Sequence, residues 1–277
     1  GLATTIMCLF GGTRDPNEGG FGPGITRGPA PANKLTEFEA PFGPAAGAGT
    51  GYGMMKHRHM YEFGTTQEQF AKMAVNQRFN ALTNPNAVFK GEPITVDDVL
   101  NSRMVNDPLH LLECVMPCAG AAACIVTSAE RANSLPNPPV YILGAATGVS
   151  DHDTIWQAER ITTTPVAISA RKAYEMAGYG PRDIQLAQFY DRYTILAAVG
   201  LEDAGFCEKG EIGPFFDEVD TTYKGTSPIN TDGGQLSGGQ PVGGAGGFRH
   251  VIEGIRQIMG RADDRQVAKH DLSMVNG

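Results

Sequence analysis

The densest run of glycines in the chain is Asn230-Thr-Asp-Gly-Gly-Gln-Leu-Ser-Gly-Gly-Gln-Pro-Val-Gly-Gly-Ala-Gly-Gly247, and it leads directly into a helical pattern. The helical pattern consists of apolar residues at helical spacing, which are Phe248, Val251, Ile252, Ile255 and Met259. Gly260 follows them and predicts the end of the helix. Backbone without side chains lets a ligand approach amide N–H groups, and a helix N-terminus favours negative charge. On these local grounds a ligand-binding loop and a loop that packs a helix tightly onto a sheet are equal alternatives.

Two familiar glycine-rich motifs do not fit this segment. No Gly-Lys-Ser/Thr sequence follows the glycines, so the segment is not a P-loop. The glycine spacing and the lack of a closely preceding strand also exclude a dinucleotide-binding fingerprint. The segment therefore indicates close backbone approach without pointing to a nucleotide.

The charge balance excludes a further class of function. Lys and Arg number 22 against 30 Asp and Glu, a net charge of −8, whereas binding to a nucleic-acid backbone needs a basic face. No apolar run reaches the roughly 18–20 residues that span a bilayer, and no signal-peptide pattern is visible. Five dispersed cysteines, an odd number in a chain of 277 residues, indicate reduced thiols. We therefore expect a cytoplasmic protein with no nucleic-acid partner and no membrane span.

Strand and helix patterns alternate along the chain and predict a layered α/β architecture. The β-rich run Thr4–Phe10 predicts a buried strand, and Thr65-x-x-Glu68 and Thr95-x-x-Asp98 are capping boxes that predict helix starts. Further strands are predicted over residues 121–128, 140–145, 184–190 and 267–275, and further helices over 164–177, 194–206 and 248–259. An excursion from Gly11 to about Leu111 interrupts the alternation, and its first part, to about Lys56, is rich in Gly and Pro and lacks periodicity.

Tyr190 ends one of the predicted strands, at the carboxyl end where open α/β sheets place their ligands. It is a candidate proton donor if a neighbouring cation or hydrogen bonds lower its pKa. The alternative is an amphipathic tyrosine that only packs at a strand end. Asp191, the next residue, is interpreted as a cap for the helix that follows.

Two other patterns carry less weight. The spacing His110-x3-Cys114-x3-Cys118-x5-Cys124 departs from paired C-x2-C motifs and lies among apolar residues, so it indicates buried thiols and no metal site. The sequence Gly148-Val-Ser150-Asp-His152 lacks the closing glycine of a nucleophile elbow and indicates a turn.

Taken together, these segments resemble the thiolase superfamily, and specifically its sterol-carrier and lipid-transfer-protein branch. The opening Gly1-Leu-Ala-Thr-Thr-Ile-Met-Cys-Leu is similar to the strand that follows the nucleophile helix in such enzymes. The glycine-rich run resembles the family's Gly-His-Pro-x-Gly segment. The remaining segments that carry the resemblance are His59-Met60 with Phe63-Gly-Thr-Thr, Gln69-Phe-Ala-Lys-Met, Asn84-Pro-Asn-Ala, Leu111 to Ser128, and Glu253 with Arg256-Gln257, Gly260 and Arg265-Gln266-Val267.

The resemblance implies a thiolase-like layered αβαβα fold, with a Gly/Pro-rich loop domain inserted in the N-terminal half. Residues 1–138 would form the remainder of that half, including the loop domain at about 11–111, and residues 139–277 the C-terminal half. It also implies a chain without the opening strands and the last strand, so that apolar sheet edges are exposed and solubility is poor.

The departures from the family pattern shape the functional expectation. Thiolases use a nucleophilic cysteine on an early helix and a second cysteine near the C-terminus, and the resemblance implies that both positions fall outside this chain. Gln240 stands where the family has the histidine of Gly-His-Pro, and Tyr190 stands where it has an asparagine or histidine. A tyrosine there resembles the retro-aldol relatives of this branch, which cleave β-hydroxyacyl-CoA thioesters, although their second tyrosine is Gln240 here. We therefore expect Tyr190 and Gln240 to be catalytic, with backbone amides near residues 238–244 holding an enolate oxygen.

The resemblance further implies a set of substrate-binding residues: His59, Met60, Gly238, Gly239, Gly243 and Gly244. It implies no bound cofactor and a coenzyme A thioester as the substrate. A homodimer and an OB-fold/zinc-ribbon partner subunit are expected by the same resemblance. Two functions remain open: an enzyme that performs retro-aldol cleavage or acyl transfer on acyl-CoA, and a non-catalytic subunit that binds acyl-CoA or lipid.

Overall fold

A computed structural model describes residues 3–12, 48–150, 158–241 and 245–277. Strand β1 (Thr5–Gly12) pairs antiparallel with strand β5 (Gly120–Thr127) along its whole length. The two strands are confirmed, but the prediction that they are buried is wrong, because Met7 and Ile125 are each 65% exposed. The ladder has no third strand within the described part of the chain.

The described region from Ala48 to His110 is mainly helical. Its elements are α1 (Ala48–Phe63), α2 (Gln67–Ala81), α3 (Val96–Asn101), β2 (Met104–Asn106) and β3 (Leu109–His110). Helix α1 was not expected, since residues 48–56 were predicted to be irregular. A Cβ at Gly53 would lie 3.1 Å from the Asp107 carbonyl oxygen, so its glycine serves close packing of the helix and does not break it.

The two capping boxes predict one helix start correctly and the other to within one residue. Helix α3 begins at the Thr95 cap as predicted, with Asp98 N donating to Thr95 Oγ1 at 3.1 Å. Helix α2 begins one residue later than predicted: Gln69 N donates to Thr66 Oγ1 (3.3 Å), and Thr66 N donates to Gln69 Oε1 (2.9 Å). Adjacent threonines leave the sequence ambiguous, and the side chain of Thr65 is buried instead of capping.

The second half supplies the elements that position the site. They are β4 (Pro117–Cys118), α4 (Ala129–Ala132), α5 (Val166–Ala177), β6 (Leu186–Gln188), α6 (Thr194–Asp203), α7 (Ile212–Glu218), β7 (Gln240–Pro241), α8 (Ala245–Ile258) and β8 (Ser273–Val275). Strand β6 pairs parallel with β8, and β4 pairs parallel with β7.

Several predicted elements differ in extent from those observed. The strands expected over 184–190 and 267–275 shrink to three residues each, β6 and β8. The strand expected over 140–145 forms no ladder with any described residue. That segment lies against α5 instead. The two backbones approach so closely that a Cβ at Gly144 would overlap the Ala173 carbonyl oxygen. Helix α5 ends as predicted at Gly178, whose φ is +75°.

The main apolar core surrounds α6. This helix is buried on nearly all sides: Ile195, Ala197, Ala198, Val199 and Leu201 have no exposed surface. Phe70 of α2 and Phe189 beyond β6 belong to the same cluster. A helix that is apolar all round packs only inside a layered protein, so α6 is an internal layer.

Helix α8 connects the strands of the layered structure. It packs against β1, β5, β6, β7 and β8, and Phe248 contacts Phe10 of β1 with ring centroids 4.8 Å apart. The described residues therefore form an α/β arrangement, as predicted. No described helix has the length and apolar character needed to cross a membrane. The division of the chain at residue 138 stays a prediction.

Candidate active site

Tyr190 lies two residues beyond the end of β6, and a buried asparagine fixes the backbone before it. Phe189 N donates to Asn230 Oδ1 (2.7 Å), and Asn230 Nδ2 donates to Phe189 O (2.9 Å). Asn230 N also donates to Ala187 O at 3.0 Å. Asn230, at the start of the glycine-rich run, therefore continues the hydrogen bonding beside β6. These bonds fix the position of the backbone just before Tyr190.

Asp191 holds the glycine-rich run in place. Its carboxylate has no exposed surface and accepts the backbone N–H groups of Gln235 (2.8 Å) and Leu236 (3.2 Å). A Cβ at residue 234 would overlap Asp191 Oδ2, and Gly234 has φ +57°, so glycine is needed there on two grounds. The interpretation of Asp191 as a cap for the following helix is wrong, because α6 has no side-chain cap. The carboxylate caps the turn Gly234–Gly238 instead.

Gln240 meets Tyr190 at the end of this run. Gln240 Nε2 donates to the Tyr190 hydroxyl oxygen at 3.0 Å. The backbone of Gln240 is held by the β4–β7 pair, since Gln240 N donates to Met116 O at 2.7 Å. The structure therefore brings together the two residues that the sequence singled out as catalytic, from positions 50 residues apart.

The tyrosine's environment keeps its hydroxyl protonated. Burial raises the pKa of Tyr190, and Asp191 adds to that rise, while Arg192 and the two glutamine side chains Gln240 and Gln235 oppose it without cancelling it. The lowered pKa that the sequence analysis set as a condition for proton donation is not found, because desolvation outweighs the cation and the hydrogen bonds. At neutral pH Tyr190 is a phenol that has a proton to donate.

An apolar cavity of about 1920 Å³ adjoins Tyr190. The predicted apolar face of α8 lines it through Phe248, Val251, Ile252 and Ile255. Tyr52 of α1 and Leu196 of α6 line it as well. Small-molecule sites typically measure roughly 300–1,000 Å³. The cavity therefore has room for a bulky apolar group against Tyr190.

The glycines predicted to bind substrate have mixed outcomes. Gly238 N donates to Gly233 O (3.1 Å), so this amide is engaged within the protein and does not offer itself to an oxyanion. Gly239 accepts a hydrogen bond at its carbonyl from Arg249 NH1 at 2.6 Å. Gly243 and Gly244 lie outside the described residues. The amide side chain of Gln240 is therefore the donor that the described part of this loop presents to Tyr190.

His59 and Met60 do not reach the site. His59 has no exposed surface, and its Nε2 lies 3.0 Å from Glu202 Oε1. Burial alone would raise the pKa of Glu202, but the His59 hydrogen bond and the charges of His59 and Lys209 hold it below its usual value. Met60 packs against the main core. Both residues support the fold here, and the prediction that they contact substrate stays a prediction.

Burial makes four of the cysteines poor nucleophiles. Burial raises the pKa of Cys114 and of Cys207 to about 12. Burial also raises the pKa of Cys118 and Cys124. Within the ranges that the structure describes, no three His, Cys, Asp or Glu side chains come close enough to hold a metal ion.

Sequence reasoning missed the polar support behind the site. His250 has no exposed surface and places Nε2 3.1 Å from Asp191 Oδ1. His250, Glu253 and Gln257 follow one another at helical spacing and are all buried, so they form a polar stripe on α8. That spacing was visible in the sequence, on the side of the helix away from the apolar residues.

Comparisons with known proteins agree with this architecture. The family model described as "Thiolase C-terminal domain-like" matches residues 147–277. An acetyl-CoA acetyltransferase of Methanothermobacter thermautotrophicus is 39% identical over 226 residues, which cover 81% of this chain and 58% of the relative. A steroid side-chain-cleaving aldolase of Thermomonospora curvata is 40% identical over 208 residues, covering 73% of this chain and 53% of the relative.

One solved structure extends the agreement to three dimensions. It is described as an "Ltp2-ChsH2(DUF35) aldolase" and superposes with a TM-score of 0.81 at 32% identity, covering 94% of this chain and 66% of the other. The chain spans a little over half the length of the two curated relatives above. The chain belongs to the thiolase superfamily and has its α/β fold, within the branch that includes sterol carrier protein and steroid side-chain aldolases.

Proposed function

We propose that this protein performs carbon–carbon bond chemistry on a coenzyme A thioester, as a retro-aldol lyase for a β-hydroxyacyl-CoA. The observation that carries the proposal is the hydrogen bond from Gln240 Nε2 to the Tyr190 hydroxyl, 3.0 Å long, beside an apolar cavity. Retro-aldol cleavage needs proton transfer and enolate stabilisation but no thiolate. The raised pKa values of Cys114 and Cys207, about 12 each, fit that requirement.

The chemistry can be balanced with these two side chains. The bond between Cα and Cβ breaks, its electron pair passes into the thioester as an enolate, and Cβ becomes a ketone carbonyl. The β-hydroxyl proton moves to the Tyr190 oxygen while the phenolic proton of Tyr190 moves to Cα, so Tyr190 is regenerated. One N–H of Gln240 stabilises negative charge on the Tyr190 oxygen, and the second N–H can donate to the thioester oxygen.

The acyl group is proposed to be large and apolar, such as a steroid or lipid side chain. The cavity beside Tyr190 is lined by the apolar face of α8. A relative that is 40% identical carries the name of a steroid side-chain-cleaving aldolase, which supports the same substrate class.

The proposed assembly is supported by the name of one solved relative. The "Ltp2-ChsH2(DUF35) aldolase" has two named components, which supports a partner subunit for this chain. We propose that this partner has an OB-fold and a zinc ribbon, that the thiolase-like chain forms a homodimer, and that the complex is cytoplasmic. No bound cofactor enters the proposed reaction, since the coenzyme A thioester is the substrate.

Two other functions remain candidates. An acetyl-CoA acetyltransferase is 39% identical to this chain, which favours acyl transfer. A non-catalytic subunit that binds acyl-CoA would retain the cavity without turnover.

Product analysis separates the three. We expect the full-length protein with its partner subunit to convert a β-hydroxyacyl-CoA into one ketone and one shorter acyl-CoA in equal amounts. The same preparation should not consume a β-ketoacyl-CoA with free coenzyme A. Thiolysis of the β-ketoacyl-CoA would establish the acyltransferase, and binding of both thioesters without any product would establish the binding subunit.

A further inference from the structure

Two of the five cysteines face each other across the β1–β5 ladder. Cys8 of β1 and Cys124 of β5 are direct cross-strand partners in the antiparallel register. Direct partners point to the same face of a sheet, with Cβ atoms about 4.5–5.5 Å apart. The register therefore places two thiols side by side, on strands that are distant in the sequence.

The cysteine pair lies on the inner face of the ladder. Phe10 follows Cys8 by two residues and so shares its face, and its ring contacts Phe248 of α8 with centroids 4.8 Å apart. Both cysteines are half-buried, and both line the cavity that adjoins Tyr190. A small reagent that enters this cavity therefore meets both sulfur atoms.

The spacing of the pair suits a disulfide. Opposed residues in an antiparallel ladder have Cα atoms about 4.5 or 5.5 Å apart, and disulfides form where this separation is roughly 4.4–6.8 Å. The Cβ atoms need to approach one another by only about 1 Å. Burial raises the pKa of Cys124, and the charge and hydrogen bond of the Cys8 thiol add to the rise, which agrees with thiols that lie side by side.

We propose that Cys8 and Cys124 are a site of reversible oxidation, at which a low-molecular-weight disulfide converts the two thiols into one cross-strand disulfide. The Cys8 thiolate attacks the reagent RSSR, forms a mixed disulfide and releases one RS⁻. The Cys124 thiolate then attacks the Cys8 sulfur, forms the protein disulfide and releases the second RS⁻. The two cysteine protons pass to the released thiolates, so the protein loses two hydrogens and two electrons, which RSSR gains. The second attack is intramolecular, and this proximity offsets the raised pKa of Cys124.

The disulfide acts as a staple between β1 and β5. It joins residues about 115 positions apart in the sequence, and closing a loop of this length restricts the unfolded chain far more than the folded one. Oxidation therefore stabilises the ladder against which α8 packs. In the cytoplasm that we propose for this protein, thiols are kept reduced, so the bond forms on oxidation and reopens afterwards. The site is independent of the proposed reaction, which uses Tyr190 and Gln240.

Peptide mapping of the full-length protein tests the proposal. The protein is incubated with oxidised glutathione, its remaining thiols are blocked with iodoacetamide, and it is digested with trypsin without reductant. Tandem mass spectrometry assigns the cross-link, because Cys114, Cys118 and Cys124 share one tryptic peptide. We expect Cys8 to be linked to Cys124, with two hydrogens lost. The melting temperature should rise by about 5 °C, and dithiothreitol should restore both thiols and the original value.

Cys118→Ser is the matched control. Cys118 is also a half-buried strand cysteine, but it lies opposite Pro241 in the β4–β7 pair. Its replacement should leave the cross-link and the melting shift unchanged. Cys8→Ser should remove both, while the melting temperature under reducing conditions stays close to that of the wild type.

Three results would overturn the inference. The first is that both thiols remain open to iodoacetamide after oxidation. The second is that Cys8 and Cys124 carry separate glutathione adducts, or that Cys8 is linked to another cysteine. The third is a cross-link between Cys8 and Cys124 that dithiothreitol does not reopen in the folded protein, because the site would then not be reversible.

Discussion

Arg249 NH1 donates to the carbonyl oxygen of Gly239 at 2.6 Å and thereby ties α8 to the residue that precedes Gln240. The same guanidinium uses Nε (2.7 Å) and NH2 (2.6 Å) to hold Asp232 Oδ2 at the other end of the loop. Gly239 has φ +104°, and a Cβ there would lie 2.7 Å from Val88 and 2.9 Å from Cys118 Sγ. One cation therefore fixes both ends of the loop that presents the Gln240 amide.

The first prediction concerns this cation. Arg249→Leu leaves Asp232 buried without its partner, and breaking a buried pair in this way costs about 3 kcal/mol. We expect the free energy of unfolding, measured by urea denaturation, to drop by about that amount. Turnover should fall more than stability alone explains under conditions where the variant is folded, because Gln240 loses its anchor. A variant as active and stable as the wild type would show that the loop holds its shape without Arg249.

The second prediction is the pH dependence of the same pair. Burial alone would raise the pKa of Asp232, but the charges of Arg249 and His250 hold it below its usual value. A carboxyl with a depressed folded pKa stabilises the fold above its unfolded pKa, about 3.9, and that contribution is lost as pH falls through the folded value.

Denaturation measured between pH 7 and pH 3 checks this sign. The wild type should lose stability as the pH falls below about 4. In Arg249→Leu the remaining burial raises the pKa of Asp232, so its contribution reverses and acidification relieves part of the damage. If stability changed with pH in the same way in the wild type and in Arg249→Leu, the pairing of Arg249 with Asp232 would be contradicted.

The third prediction compares two glycines with positive φ. Gly234 has φ +57°, and a Cβ there would overlap Asp191 Oδ2. Gly178 has φ +75°, and a Cβ there would meet no atom within 4 Å. Gly178→Ala should cost about 1 kcal/mol, the strain of a left-handed backbone. Gly234→Ala should cost more than about 3 kcal/mol, because the clash adds to the strain. Calorimetric melting of both variants measures the two losses of stability. Equal losses would mean that the Asp191 side chain moves away from the added Cβ at little cost.

The fourth prediction concerns the exposed ladder of β1 and β5. Met7 and Ile125 are direct cross-strand partners, and each is 65% exposed. Exposed apolar strands promote self-association. The double variant Met7→Glu/Ile125→Lys places opposite charges across the strands, which favours the pair by about 0.5 kcal/mol. Light scattering should show less association with an unchanged melting temperature, and a large drop in that temperature would show that this face is packed in solution.

The extent to which the sequence predicts the fold depends on how local each signal is. The capping box of Thr95 and Asp98 is complete within four residues, and helix α3 begins there. The segment 140–145 has strand composition but pairs with no described strand, because a ladder needs a partner that local composition does not encode. Long-range packing decides such cases.

The candidate site shows the same division. The resemblance directed attention to Tyr190 and Gln240, and their side chains meet. The resemblance predicts that His59 contacts substrate, but its partner Glu202 lies 143 residues away, and no pattern near His59 indicates that pairing. Asp191 looked like a local helix cap, whereas its hydrogen bonds reach residues 44 and 45 positions away. Buried polar pairs of this kind become visible only in three dimensions.

In the proposed reaction Tyr190 moves the proton in carbon–carbon bond cleavage. The most direct test is the turnover number of Tyr190→Phe in the full-length protein with its partner subunit, measured as ketone released from a β-hydroxyacyl-CoA. Phenylalanine keeps the ring against Gly247 and His250 and removes only the hydroxyl. We predict a loss of at least about 100-fold, the usual contribution of a positioned proton donor, with thioester affinity and melting temperature close to the wild type. Wild-type turnover in this variant would contradict the account.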